Sequence, residues 1–167
     1  MKQAFIMGGR MQNILIVISA LGSGLIAGAF FAFSSFVMGA LGKLPASQGI
    51  TAMQSINVVV INPIFLGVLF GTAALALFLG LGAIRHLGDP RAMWFVAGAG
   101  LYVIGTVMVT MVFNVPLNNA LAAVDPASAE GAAVWADYLR TWTNWNHVRT
   151  LAALAASGAF ISALFTA

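Results

Sequence analysis

Residues 141–150 read Thr-Trp-Thr-Asn-Trp-Asn-His-Val-Arg-Thr, and they put an imidazole, a guanidinium and two amides at the mouth of an apolar segment. His147 is a base, Arg149 a fixed cation, and Asn146 supplies both donors and an acceptor. In a chain only 7% charged, such a concentration needs a reason. An ionisable group where apolar residues take over costs several kcal/mol unless it is paired, faces a cavity or reaches water, so it marks a functional site by default. The plainer alternative is that Trp142, Trp145 and Arg149 anchor a helix among lipid headgroups.

The elements that must position these residues follow from composition. Hydrophobic residues make up 61% of the chain, mean hydropathy is +0.99, and no charge falls between Lys43 and Arg85. A water-soluble core needs far less. Four runs, 14–41, 56–84, 93–113 and 145–165, approach or exceed the roughly 20 apolar residues that cross a bilayer's hydrocarbon. The first is too long for a signal peptide, whose apolar stretch takes about 7–15 residues. Without cysteine there are no disulfides, thiolate metal sites or thiol nucleophiles. The net charge of +3 is spread over loops and forms no nucleic-acid patch.

The positive charges report orientation. Lys2 and Arg10 precede the first run, Lys43 follows it, Arg85 and Arg91 separate the second and third, and Arg140 separates the third and fourth. The positive-inside rule then puts both termini and the 85–91 loop in the cytoplasm, and 42–55 and 115–144 outside. The expected architecture is all-α: one domain over 1–167, an up-down antiparallel four-helix bundle in the cell membrane. Asp125-Pro126 reads as an N-cap and first helical residue, so an extra surface helix running to Arg140, with Trp135, Tyr138 and Trp142, is expected before the fourth span.

With that topology the polar residues of the spans gather at the outer end. Asn57 and Asn62 enter with the second span, Asn114 and Asn118 leave with the third, and Asn146, His147 and Arg149 enter with the fourth. Pro63 and Pro116 remove backbone donors in the same region and loosen neighbouring turns, although Pro116 reads first as the terminator of the third span. A single pocket is expected, because amides and cations in hydrocarbon need partners; the alternative is that the amides only tie helices together. Gln12 and Asn13 read as boundary residues. Gly24, Gly28, Gly98, Gly100 and Gly105 offer small surfaces for close helix approach. Phe30, Phe31, Phe33 and Phe36 read as lipid-facing or core packing, and, with Ser34 and Ser35 beside them, alternatively as a wall for a flat aromatic ligand.

Several chemistries fall away. A metal site is poorly supported, since one histidine without a nearby carboxylate is short of the usual three or four ligands. Bis-histidine haem fails because His86 and His147 belong to opposite ends of about 30 Å of hydrocarbon; a single-histidine haem stays open. No Gly-rich phosphate loop or activated serine motif is present. The base, the cation, the amides and the aromatic walls suit a planar, partly polar organic molecule and removal of a proton from it.

The segments Ala-Gly-Ala-Phe-Phe-Ala-Phe-Ser at 27–34, Ala-Met-Gln-Ser-Ile-Asn at 52–57, Ile-Asn-Pro-Ile-Phe at 61–65, Phe-Asn-Val-Pro-Leu-Asn at 113–118 and Trp-Thr-Asn-Trp-Asn-His-Val-Arg-Thr at 142–150 resemble the anthrone oxygenase-like family of small four-span membrane proteins. The resemblance implies oxidation of anthrones to anthraquinones by molecular oxygen, with no cofactor and no metal. His147 would then be the base. Arg149, with Asn114, Asn118 and Asn146, would stabilise negative charge, while Trp142, Trp145 and Phe36 would wall the substrate and Asn57 and Asn62 would help hold it. The implied partners are the bilayer and a planar aromatic molecule, with no nucleic acid; a homo-oligomer stays open. Two other classes remain at this level: a quinone- or haem-binding redox module, and a non-catalytic structural subunit.

Overall fold

The computed structural model describes residues 9–166, and every regular element among them is helical. Lys2, part of the charge pattern above, lies outside the described residues. Four helices are long and apolar enough to cross a membrane: α1 (Gly9–Leu41), α3 (Pro63–His86), α4 (Pro90–Ala122) and α5 (Ala129–Phe165). A shorter helix, α2 (Ala46–Val59), lies between the first two. In lipid every backbone N–H and C=O must be satisfied within its own segment, which is why apolar runs of this length become helices.

Helix starts are set by local chemistry. Asn62 takes an extended backbone and its Oδ1 accepts from the amides of Ile64 and Phe65 at 3.1 and 3.0 Å, with Pro63 in the first turn. Asp89 caps α4 in the same way, accepting from Arg91 at 2.9 Å ahead of Pro90. Ser128 caps α5 through Gly131 N at 2.9 Å.

These caps correct three expectations. The second span starts at Pro63 and not at residue 56: the residue before a proline is driven out of the helical region, so Asn62-Pro63 ends one helix and starts another. Asn57 therefore belongs to α2, and Pro63 occupies a starting turn without kinking anything. The third span runs past residue 113 to Ala122, straight through Pro116. The wide π turn at Thr110–Asn114, closed by Val115 N on Thr110 O, displaces the carbonyls that the ring of Pro116 would otherwise strike. The helix expected before the fourth span is there, but it begins at Ser128 and continues unbroken into that span. Asp125 instead closes the preceding turn, accepting from Ala127 N at 2.9 Å.

The spans pack antiparallel in the order α1, α3, α4, α5, and α5 closes back on α1. Gly22 faces the Thr72 hydroxyl, and Gly80 faces Ala99. Gly98 sits under the Phe160 ring, Gly105 against Ala152, and Ser157 Oγ donates to Ala20 O at 2.8 Å. Gly98 and Gly105 thus serve the close approach expected of them. Gly28 and Gly100 have open space where a side chain would go. The bundle interior is built from small and aliphatic residues with Phe30, Phe95, Tyr102 and Phe160. A second apolar cluster, Met38, Ile50, Met53, Leu121, Trp135, Tyr138 and Trp142, caps the end away from Gly9, where α2 packs against the first turns of α5 and the last turns of α4.

Candidate functional site

Arg149 lies inside this bundle at 6% exposure. Its Nε donates to Asn146 Oδ1 at 2.9 Å and its Nη1 to Thr110 Oγ1 at 3.3 Å. The guanidinium carbon lies 3.9 Å from the centroid of the Phe30 ring and 4.8 Å from that of Trp142. No carboxylate pairs with it among the described residues; Asp89, Asp125, Glu130 and Asp137, the chain's four acids, are all exposed. A buried cation held by two neutral oxygens and two π faces gives up several kcal/mol of hydration that no counter-ion returns, and desolvated cation–π contacts of about 2 kcal/mol each offset only part of it. A guanidinium carries five N–H donors, and those beyond the two bonds described meet no protein acceptor among the described residues. The site is electrostatically prepared for negative charge.

Asn146, fully buried, passes this field outward. Its Oδ1 takes the Arg149 bond, and its two amide hydrogens go to Phe30 O at 2.8 Å and Ser34 Oγ at 2.6 Å. Ser34 stands in the π turn Phe33–Val37, whose wider register brings the hydroxyl to Asn146. Ser34 Oγ accepts from Asn146 and lies 3.5 Å from Thr150 Oγ1, so its own proton has a long, weak acceptor in Thr150. Thr150 Oγ1 is committed to Asn146 O at 2.6 Å.

His147 is one position along from Asn146, a rotation of about 100° around the helix, and this takes it off the Arg149 face. It is exposed, and with Phe31, Ser34, Ser35, Thr150 and Leu151 it lines an open groove of about 330 Å³ between α1 and α5 on the outside of the bundle. Ser34 and Thr150 are common to the groove and to the Asn146 network, so two hydroxyls separate the imidazole's groove from the buried cation's partner.

A second polar knot stands closer to the capped end. Asn118 Oδ1 accepts from Tyr138 Oη and from Trp142 Nε1, both at 2.8 Å, and Asn57 Nδ2 reaches Tyr138 Oη at 3.5 Å. Trp135, Tyr138 and Trp142 stack in a ladder with ring centroids 5.7 Å apart at each step. Asn114, wholly buried, donates to Trp142 O at 3.2 Å, while its Oδ1 meets no partner among the described residues. Trp142 joins the two knots, since its indole N–H serves Asn118 and its ring faces Arg149.

The single pocket expected for Asn57, Asn62, Asn114, Asn118, His147 and Arg149 is therefore divided. Arg149, Asn146 and Trp142 meet, with Asn114 on the Trp142 backbone; Asn118 and Asn57 join them through Tyr138 and Trp142. His147 occupies the outer groove, and Asn62 is spent on its helix cap. Trp145 is stacked on Phe113 at 3.6 Å and 6°, on the flank of α5. Phe36 points away at 63% exposure, because the π turn rotates it outward. Thr110, Thr150 and Tyr138 were not chosen as site residues from the sequence. Thr110 precedes Asn114 by four and Thr150 follows Asn146 by four, a helical spacing that puts each hydroxyl on the face of its amide.

No curated protein and no solved structure matches the chain. The anthrone oxygenase family model matches residues 62–159, more than half of the sequence. That stretch contains Thr110, Asn114, Asn118, Trp142, Asn146, His147 and Arg149, whereas Phe30 and Ser34 on α1 stand outside it. On this match the chain, a four-span helical bundle by length and hydropathy of its helices, belongs to the anthrone oxygenase family.

Proposed function

We propose that the protein oxidises a planar, membrane-dissolved aromatic of the anthrone type to the corresponding quinone, using molecular oxygen. The line Arg149–Asn146–Ser34 running behind a groove that holds His147 carries this reading. The methylene of an anthrone is acidic because its conjugate base is an aromatic phenolate. His147 takes that proton. Charge gathers on the substrate oxygen, to which the Ser34 hydroxyl turns from its long 3.5 Å contact with Thr150 Oγ1; the donor strength of Ser34 is raised through Asn146 by the guanidinium. Phe31 and Leu151 hold the apolar rings.

The electron-rich anion then reduces oxygen itself. One electron passes to O2, the radical pair combines to form a carbon–oxygen bond, and the peroxide accepts the proton held by His147. Loss of water leaves the second carbonyl. One O2 is consumed, one water is released, and two substrate hydrogens leave in that water. An apolar substrate reaches the groove sideways from the hydrocarbon, which suits a groove open on the outside of the bundle between two spans. We place the groove's end of the bundle outside, by the distribution of Arg10, Arg85 and Arg91.

The experiment is turnover of an anthrone by the purified protein in lipid nanodiscs, following quinone absorbance together with oxygen uptake. The expected result is one O2 per quinone, at a rate well above that of empty nanodiscs. A rate equal to the uncatalysed background would remove the reading.

A further inference from the structure

All four acidic side chains of the sequence are exposed, so none of them neutralises the buried Arg149. Of the five N–H donors of a guanidinium, Nε uses one on Asn146 and Nη1 one on Thr110, which leaves the others on Nη1 and Nη2 without a protein acceptor among the described residues. Those hydrogens lie in the guanidinium plane. Two oxygens of one anion meet such an edge as a fork, with two parallel charge-assisted bonds. The depth of the group also matters. Side chains on a helix lean toward its start, and the guanidinium carbon accordingly stands 4.8 Å from the centroid of the Trp142 ring, seven positions back along α5. Trp142 is two positions past the exposed Arg140, which pairs with Asp137 at 2.9 Å, an axial rise of about 3 Å. The cation therefore lies close under the end of the bundle that carries exposed charges, covered by the apolar cluster that Trp142 shares with Met38, Ile50 and Met53.

We propose that Arg149 is the binding site of a small monovalent oxyanion, of the size of formate, nitrate or bicarbonate, taken from the water at the capped end and held on the free edge of the guanidinium beside Thr110 and Trp142. The anion replaces the counter-ion that the chain itself does not supply. Because the cation is already stripped of most of its hydration, its attraction for an opposite charge is far stronger than at the surface. Size follows from exposure. Only 6% of the Arg149 surface remains accessible, which is contact for a few atoms and not for aromatic rings, and Asn146 and Ser34 stand between the guanidinium and the groove of His147. The site is thus distinct from the position in the groove where Ser34 meets a substrate oxygen. A doubly charged anion such as sulfate gives up more hydration than one guanidinium returns, so the site selects for single charge.

Formate is the probe, because its single carbon-bound proton reports binding by saturation transfer from the protein in nuclear magnetic resonance. The protein in phosphatidylcholine nanodiscs, at an ionic strength held with sulfate, is expected to give a saturable formate signal with a Kd of about 0.5–10 mM, the range open to a ligand of three non-hydrogen atoms. Nitrate should displace it, and empty nanodiscs should show none. Arg149→Lys keeps the charge and loses the fork, so its Kd is expected to rise at least about fivefold. Arg149→Met should reduce the signal to that of empty nanodiscs, while Arg91→Ala, which removes a cation at the opposite end, should keep the wild-type Kd. No saturable signal in the wild type overturns the proposal, and so does a wild-type Kd in either Arg149 variant or a signal lost in Arg91→Ala. If Arg149→Met does not accumulate, the Kd of Arg149→Lys decides. Neither arm involves turnover, so an inactive protein in the anthrone assay leaves this test intact.

Discussion

Arg91 and Arg149 stand at opposite ends of the same bundle and are held in opposite ways. Arg91, part-exposed beside the start of α1, donates from Nε to Ala163 O and from Nη2 to Asn13 Oδ1, both at 3.0 Å, with the Phe95 ring 6.0 Å away. It ties the start of α4 to α1 and to the end of α5 where water can still hydrate it, and this makes it a staple. Arg149 has the same number of neutral partners, yet it is buried, pressed on two aromatic rings and without a counter-ion. A staple at that depth would be cheaper as an apolar residue. The difference is between a charge kept at the rim and a charge kept in the core, and under the proposed function it separates a structural end of the molecule from a chemical one.

The sharpest test of this contrast is at His147, on the Arg149 side. His147→Ala is expected to reduce anthrone turnover by about 10²–10⁴-fold, with accumulation and Tm near wild type, because the ring stands in an open groove and supports no packing. Full activity in this variant would leave the groove without its base. Arg149→Ala should cost about 10²–10³-fold, the range for removing a donor that stabilises developing charge. Arg149→Lys should fall between that and wild type, since it keeps the charge and loses the planar fork that reaches Asn146 and Thr110 together. Steady-state kinetics on both variants decides whether charge or shape matters.

At the other end the expected losses are in stability. Gly98→Val would drive its side chain into the Phe160 ring, 2.8 Å from where a Cβ would stand, and overpacking of this kind costs about 1–3 kcal/mol. Its Tm should fall while turnover by the folded fraction stays the same. Arg91→Ala should lower Tm by about 2–4 °C and leave kcat within about twofold. A turnover loss in Arg91→Ala as large as that in Arg149→Ala would erase the distinction between the ends. The smallest perturbation is a cysteine at the exposed Ala127 or Gly88 in this cysteine-free chain. An impermeant thiol reagent added outside intact cells is expected to label Ala127→Cys and spare Gly88→Cys; the reverse pattern inverts the orientation of both ends together.

Much of this was legible in the residues, for definite reasons. Hydropathy and the lipid's demand for internal hydrogen bonding make four crossing helices unavoidable, and the cluster Asn146-His147-Val148-Arg149 announces its importance by its rarity in so apolar a chain. The start of α3 is hidden from hydropathy because residues 56–61 are as apolar as a span, while the cap that follows them, Asn62-Pro63, is a two-residue signal. Helix count, the neighbourhood of the site and the family are thus properties of composition and short motifs.

Which side chains meet is another matter. Asn146, His147 and Arg149 lie within four positions, yet rotation about α5 sends His147 to the outer groove and keeps the other two inside. The π turns at Phe33–Val37 and Thr110–Asn114 change the register of their helices by a fraction of a turn. That shift brings Ser34 to Asn146 and Thr110 to Arg149, and it turns Phe36 outward. It depends on Pro116 being accommodated and on contacts between helices more than a hundred residues apart in sequence. Periodicity along one chain carries the identity of the chemical groups; their convergence is decided by helix rotation, which only the packed neighbours determine.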